Sequence, residues 1–137
     1  MVSIQKTVDF AKIRDIRATI FKGMGLSEGD IFDEDDKMLE QFIIKHGSDI
    51  VGSFRLRGIN NFHKIERMGI LPQYQSKGIG RQVLVEIKAY SKNTGKSKII
   101  LDAIYDVRDF YAKSGFVQVG EVFFKVGIPH VSMYCKI

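Results

Sequence analysis

The sequence predicts an α/β protein, more closely an α+β fold with one mixed, mostly antiparallel sheet of six or seven strands and helices on both faces. A strand, a helix and a second strand follow one another in the middle of the chain, a pattern that predicts a parallel pair with a right-handed crossover. Apolar segments separated by turn residues at both ends predict antiparallel hairpins. The length of 137 residues fits one domain over 1–137.

The N-terminal part predicts a strand, a helix and an acidic loop. A short strand over 4–8 precedes Asp9, a residue type that caps helices. The helix that follows has apolar residues on one face: Phe10, Ile13, Ile16, Ile20 and Phe21. Residues 23–36 predict a loop with one helical turn. Its acidic run over 33–36 lacks the ligand spacing of a calcium loop, so we interpret it as a solvated loop or a helix cap.

The middle of the chain predicts a hairpin, a third strand and a long helix. The hairpin strands cover about 39–46 and 50–57, and the third strand covers about 63–70. A helix opens within 71–80 and runs to about Asn93. Its apolar residues step by four, four and three positions, which predicts one buried stripe: Ile79, Val83, Ile87 and Tyr90.

The C-terminal part predicts three more strands around a short helix. A strand of the buried type covers 99–104, and a short helix follows over 107–114. Strands over 116–125 and 131–136 are joined by a turn at 127–129. The first of these three strands should lie parallel to the strand before the long helix.

Composition excludes several classes of protein. No apolar run approaches the roughly 20 residues of a membrane-crossing helix, and the first residues lack the apolar core of a signal peptide; we expect a cytoplasmic protein with no membrane partner. The single cysteine excludes an internal disulfide and zinc sites with two cysteines, and we expect no metal. The net charge of +5 is divided unevenly, with −1 in residues 1–62 and +6 in residues 63–137. Its basic residues are scattered singly, which favours a phosphorylated small molecule or a solvated surface over nucleic acid.

The segment Gln-Ser-Lys-Gly-Ile-Gly-Arg at 75–81 lies where the long helix begins. Free amides at a helix start attract anions, glycines let phosphate approach the backbone, and Lys77 and Arg81 add positive charge. The segment is not a P-loop, because Gly80 is followed by Arg81, and it is not a dinucleotide fingerprint, because Val83 replaces the third glycine. A phosphate site and a tight strand-to-helix turn are the alternatives.

A second motif lies on the short helix, where Phe110-Tyr111 precedes Gly115-Phe116. Together the two segments resemble the GNAT family of acetyl-CoA-dependent N-acetyltransferases. That family has Gln/Arg-x-x-Gly-x-Gly/Ala after its fourth strand and Phe-Tyr-x-x-x-Gly-Phe after its fifth. Residues 126–133 are similar to the branch related to ElaA. The resemblance is specific over 63–137 and looser over the first 62 residues.

The resemblance implies acetyl-CoA as the cosubstrate. Backbone amides of 76–81 would hold the pyrophosphate, and the pantetheine arm would lie along the fourth strand. The residues expected to bind the coenzyme are Met68, Ile70, Gln75, Ser76, Lys77, Gly78, Ile79, Gly80, Arg81 and Phe110. The fourth and fifth strands would splay to receive the acetyl group, and a backbone N–H near Ile70 would polarise the thioester carbonyl.

The resemblance also implies two catalytic residues. Tyr111 would protonate the departing thiolate, because a phenol keeps its proton at neutral pH; the alternative is a core aromatic residue. Glu66 is the candidate base. Strand alternation would place Glu66, Met68 and Ile70 on one face, so that the carboxylate reaches the cleft. The alternative for Glu66 is an ion pair with a neighbour such as Arg67 or Lys64.

A cysteine and a histidine near the C-terminus have the residue types of a catalytic nucleophile and its base. Cys135 lies in the last predicted strand, and we interpret it as a buried apolar filler. His130 follows a proline turn, and we interpret it as a structural residue or a pocket wall.

The predicted function is direct transfer of acetyl from acetyl-CoA to a primary amine in a ternary complex. The acceptor would be a small molecule, a peptide N-terminus or a lysine. The alternative is a non-catalytic acyl-CoA-binding sensor or regulatory module. A homodimer is the oligomeric state that similar proteins suggest.

Overall fold

Seven strands form one mixed sheet in the computed structural model, which describes residues 1–137. The strands are β1 (Val2–Thr7), β2 (Glu40–His46), β3 (Asp49–Ile59), β4 (Phe62–Ile70), β5 (Lys98–Ile104), β6 (Val117–Lys125) and β7 (Ile128–Lys136). Their order across the sheet is β1-β2-β3-β4-β5-β7-β6. β4 and β5 are parallel and all other neighbours are antiparallel. The predicted mixed sheet is confirmed.

Four α-helices accompany the sheet: α1 (Phe10–Ile20), α2 (Glu28–Ile31), α3 (Ile79–Asn93) and α4 (Arg108–Ala112). Short 3-10 turns cover 34–38, 72–74 and 105–107. α3 provides the crossover between the parallel strands and packs on one face of the sheet, here called the α3 face. α1 covers β2, β3 and β4 on the opposite face, here called the α1 face. No helix combines the length and the apolar character needed to cross a bilayer.

The α3 face carries the main hydrophobic core. Phe42 and Phe54 stack there with ring centroids 4.8 Å apart. Three members of the predicted stripe of α3 are buried, namely Ile79, Val83 and Ile87. Burial of these side chains contributes the hydrophobic free energy that fixes α3 against the sheet.

The α1 face combines a small apolar cluster with buried charges. Ile13 and Ile16 of α1 pack against Ile43 of β2, as the predicted helix face requires. Beside them, the guanidinium groups of Arg17 and Arg55 contact the Asp36 carboxylate at 2.9 and 2.8 Å. Carboxylate and carbonyl oxygens accept hydrogen bonds from the terminal N–H groups of both arginines, which lets them stay charged in the interior, whereas Nε of Arg17 has no partner.

The interpretation of the acidic run as a solvated loop is wrong for Asp33 and Asp36. Both carboxylates bind Arg55 beneath the 23–38 segment. The helix-cap alternative is confirmed, because Asp33 begins the 3-10 turn over 34–38 and its amide donates to the Asp36 carboxylate at 3.3 Å. Acidic residues are normally expected on the surface, but ion pairs with a residue distant in the chain place these two at least partly in the interior.

A bulge in β4 changes the faces of its C-terminal half. Arg55 pairs with Glu66 and Ser53 pairs with Gly69, so β4 contains one residue more than β3 between these pairs. Arg67 adopts a positive φ of 55° at this point. An extra residue reverses the alternation of the side chains. The expectation that Glu66, Met68 and Ile70 share a face is therefore wrong: Glu66 lies on the α1 face, and the other two pack against the core on the α3 face.

The two parallel strands separate towards their carboxyl ends. β4 and β5 pair from Phe62 with Lys98 to Ile65 with Leu101. Beyond this point both strands continue without pairing to each other. The resulting gap is open to both faces of the sheet, and the candidate site lies in it.

Candidate active site

A cavity of about 320 Å³ occupies the gap between β4 and β5. Met68 and Tyr111 line it from the α3 face. Glu66, Asp102 and His130 line it from the α1 face. The volume lies at the small end of the range of ligand pockets, and the two faces of the sheet present different groups to the same space.

Tyr111 of α4 lies between two aromatic neighbours at the edge of this cavity. Its ring makes edge contacts with Phe110 at 5.0 Å and with Phe116 at 5.9 Å. Burial raises the pKa of Tyr111 to about 12, because desolvation disfavours the phenolate. The side chain is also part of the core boundary. Tyr111 therefore packs against the core, lines the cavity and keeps its hydroxyl protonated.

The turn before α3 presents a row of free backbone amides. None of the N–H groups of residues 76–81 donates to an acceptor of the protein. Ser76 and Gly78 have positive φ values of 61° and 79°, and Gly78 supplies no capping side chain. Free amides beside the positive end of a helix dipole are the groups that favour an anion at a helix start. This arrangement fits a diphosphate group.

Gln75 connects this turn to the end of β4. Its side-chain amide donates to the carbonyl oxygen of Ile70 at 2.9 Å. The bond fixes the start of the turn relative to the strand that lines the cavity. Gln75 and Ile70, predicted as coenzyme-binding residues, are thus in direct contact with each other.

The two sequence motifs meet in space. A Cβ on Gly80 would lie 3.0 Å from Cζ of Phe110, so the phenyl ring packs directly on the backbone of the first turn of α3. Phe110 remains 37% exposed. Glycine at this position therefore allows α4, which carries Tyr111, to approach the start of α3.

Glu66 is held in ion pairs. Its carboxylate contacts Arg55 at 2.8 Å, Arg57 at 3.1 Å and Lys64 at 3.8 Å. Burial alone would raise the pKa of Glu66, but the hydrogen bond from Arg57 and the charge of Arg55 lower it overall. The ion-pair alternative is confirmed for Lys64. Arg67 instead binds Asp33 at 3.1 Å.

Sequence reasoning missed Asp102. Its carboxylate contacts Lys64 at 3.0 Å and Lys125 at 3.5 Å, and Ser132 donates a hydrogen bond at 2.9 Å. Burial would raise the pKa of Asp102, but its partners, first Lys64, lower it overall. The alternation of buried residues in β5 was a usable signal, because it places Asp102 on the face opposite the core.

His130 and Cys135 occupy different places. His130 lines the cavity, so the pocket-wall interpretation is confirmed. Cys135 is 8% exposed within the main core, which confirms its interpretation as an apolar filler.

The mixed sheet with its splayed parallel pair, and the free amides at the start of α3, define the fold of acyl-CoA N-acyltransferases. Residues 30–137 match the family model of the acetyltransferase (GNAT) domain. The chain belongs to the GNAT acetyltransferase family, and it is an acetyl-CoA-dependent N-acetyltransferase. The predicted family and enzyme class are confirmed.

Relatives and solved structures agree with this assignment. The protein YyaT of Bacillus subtilis is 32% identical over 125 residues, which cover 89% of this chain and 83% of YyaT. The crystal structure of Escherichia coli ElaA has a TM-score of 0.81 at 18% identity, covering 98% of this chain and 99% of ElaA. A GNAT family acetyltransferase from Elizabethkingia anophelis, solved with acetyl-CoA bound, has a TM-score of 0.78 at 18% identity, covering 99% of this chain and 98% of that chain. These structures are similar to the chain in fold.

Proposed function

We propose that the chain transfers acetyl from acetyl-CoA directly to a primary amine within a ternary complex. The observation that carries this proposal is the cavity between β4 and β5, which is lined from both faces of the sheet. A thioester and an amine can therefore approach one point from opposite sides. The single cysteine lies in the core and does not line the cavity, which supports transfer without an acyl-enzyme.

The chain's own groups fit the coenzyme. The amides of residues 76–81 hold the pyrophosphate, with Lys77 and Arg81 beside them, and Phe110 packs over the helix start. The unpaired edge of β4 near Met68 and Ile70 accepts the pantetheine arm as an added strand. When bound, acetyl-CoA supplies an activated acetyl thioester. The protein orients it in the gap and excludes water with the apolar walls of the cavity.

Tyr111 serves as the general acid in this proposal. Its raised pKa keeps the hydroxyl protonated at neutral pH, so the phenol can donate a proton to the departing thiolate. The predicted base, Glu66, remains a prediction. Because its arginine partners lower its pKa, its carboxylate is a weak proton acceptor.

The residues that line the cavity indicate which kind of acceptor it can bind. Met24, Leu26 and Ile128 contribute apolar surface, while Glu66 and Asp102 contribute negative charge balanced by lysines and arginines. A volume of about 320 Å³ accommodates one small amine or the end of one chain. The proposed acceptor is accordingly a primary amine on a small molecule, a peptide N-terminus or a lysine side chain.

Tyr111→Phe tests the function directly. We expect acetyl-CoA to raise the melting temperature of the wild type and of the variant equally, since the substitution leaves the anion site intact. Binding to the native state contributes about 2.7 kcal/mol at a hundredfold excess over Kd. Turnover of a panel containing spermidine, glucosamine, lysine and a short peptide, measured by release of free thiol, should fall about 10²-fold or more.

Tyr134→Phe is the matched control, because Tyr134 lies on β7 outside the cavity lining. It should retain the turnover of the wild type. Equal turnover by Tyr111→Phe and the wild type would show that the acid is assigned wrongly. Absence of any thermal shift with millimolar acetyl-CoA would contradict the proposed coenzyme site.

A further inference from the structure

His130 lies beside the point where β4 and β5 separate. It pairs with Ile104, the last residue of β5. Its neighbour Val131 is buried in the main core on the α3 face, so the alternation of β7 directs the imidazole to the α1 face. His130 and Tyr111 therefore line one cavity from opposite faces of the sheet.

The hydrogen bond of His130 fixes its tautomer. Nδ1 lies 2.7 Å from the carbonyl oxygen of Ile128. A carbonyl oxygen can only accept, so Nδ1 carries the proton and the lone pair of the neutral ring is on Nε2. The ring also stacks on Phe123, with centroids 6.0 Å apart and planes at 28°. The bond and the stacking together fix the orientation of the imidazole.

The Nε2 atom of His130 has no hydrogen-bond partner in the protein: no group donates to it or accepts from it. The side-chain nitrogen and oxygen atoms that are both fully buried and without a partner belong to Arg17, Ser53 and Ser114. Nε2 of His130 is not one of them, so it keeps some accessible surface. Because the residue lines the cavity, this unpartnered nitrogen is available to a group bound there.

The other titratable groups of the cavity are less suited to accept a proton. They are Lys64, Glu66 and Arg67 of β4, Asp102 of β5, Lys125 of β6, Asp30 of α2 and Tyr111 of α4. Both lysines pair with Asp102, Arg67 pairs with Asp33, and burial raises the pKa of Tyr111 to about 12. Glu66 and Asp102 are engaged in ion pairs, and Asp30 accepts from the Ser27 amide at 2.9 Å.

We propose that His130 Nε2 is the base that takes the proton from the substrate ammonium. This inference rests on the proposed function and adds the catalytic group on the acceptor side. The ammonium gives one proton to Nε2, and the imidazolium later releases it to solvent. The nitrogen then forms the bond to the acetyl carbon as the carbon–sulfur bond breaks. Tyr111 gives its proton to the departing sulfur, and the second proton of the nitrogen returns to the Tyr111 oxygen, so the phenol is restored and the only proton released is the one taken up by His130.

His130→Asn separates this role from a structural one. The asparagine amide can still donate to the Ile128 carbonyl, as Nδ1 does, but the variant has no atom in the place of Nε2. We expect kcat/KM for alkylamines such as spermidine and lysine to fall about 10²-fold near pH 7. The loss should shrink as the pH approaches the pKa of the amine. Semicarbazide, which is uncharged at pH 7, should react with the variant nearly as fast as with the wild type.

The control is His46→Asn, at the exposed end of β2, which should match the wild type throughout. Equal alkylamine activity in His130→Asn and the wild type would overturn the proposal. So would an equal fall for alkylamines and semicarbazide, because a purely structural defect affects both. If the wild type acetylates no amine and semicarbazide does not react, the proposed function fails, and the role of His130 fails with it.

The tautomer provides a test without turnover. In ¹H–¹⁵N correlation spectra of the ligand-free wild type, the neutral form of the His130 ring should show a protonated Nδ1 and an unprotonated Nε2. His130→Asn identifies the signal by its disappearance. A proton on Nε2 of the neutral ring would leave this atom no free lone pair and would refute the inference.

Discussion

Asp36 lies at the centre of the buried charges beneath α1, and removal of its charge tests what they contribute. Its carboxylate contacts Arg17 at 2.9 Å and Arg55 at 2.8 Å. The two arginine side chains are 1% and 2% exposed. Asp36→Asn keeps the shape of the side chain but removes the negative charge. Arg17 then has no carboxylate partner, whereas Arg55 keeps Asp33 and Glu66.

The structure sets the expected size of the effect. Removing one partner of a buried ion pair costs about 3–5 kcal/mol. The asparagine oxygen can still accept one of the arginine hydrogen bonds, so we expect the lower end, about 3 kcal/mol. This is a large part of the roughly 5–15 kcal/mol of a typical domain. Asp35→Asn is the matched control, because Asp35 is 53% exposed and contacts only the partly exposed Arg57; it should cost at most about 1 kcal/mol.

Urea unfolding followed by circular dichroism measures both variants. We expect the midpoint of Asp36→Asn to fall well below that of Asp35→Asn, with an unchanged slope. Acetyl-CoA should be left out, so that binding does not add to the free energy of unfolding. If the two variants lose the same free energy within about 0.5 kcal/mol, the buried network does not stabilise the fold as argued.

Two further predictions concern acid stability and helix packing. Hydrogen bonding to Arg55 lowers the pKa of Asp33 to about 2, and the pKa values of Asp36 and Glu66 are also lowered. These carboxylates therefore stabilise the folded state at pH values above the ordinary pKa of a carboxyl group, and the stabilisation is lost as the pH falls towards 2. A urea midpoint that stays constant from pH 5 to pH 2 would contradict this. A Cβ on Gly69 would overlap Cγ2 of Ile20, so Gly69→Ala should cost about 1–3 kcal/mol. The cost should largely disappear in an Ile20→Ala background, and additive losses in the double-mutant cycle would refute the contact.

Local sequence was sufficient for the elements that carry the motifs. The stripe of Ile79, Val83 and Ile87 predicted α3 and its buried face, because side chains three or four apart share one side of a helix. The strand–helix–strand order predicted the parallel pair. Parallel strands end at the same edge of a sheet, which brings both motifs together there, and the contact of Gly80 with Phe110 is the result.

The sequence by itself determined the order of the elements, the free amides at the start of α3 and the position of Tyr111 after β5, because each depends on residues close together in the chain. The tertiary structure alone decided the face on which Glu66 lies, since the bulge at Arg67 depends on the register with β3. It also decided that Asp36 is buried with Arg17, a partner 19 residues away. Such pairings depend on how distant segments pack, and no local periodicity records that packing.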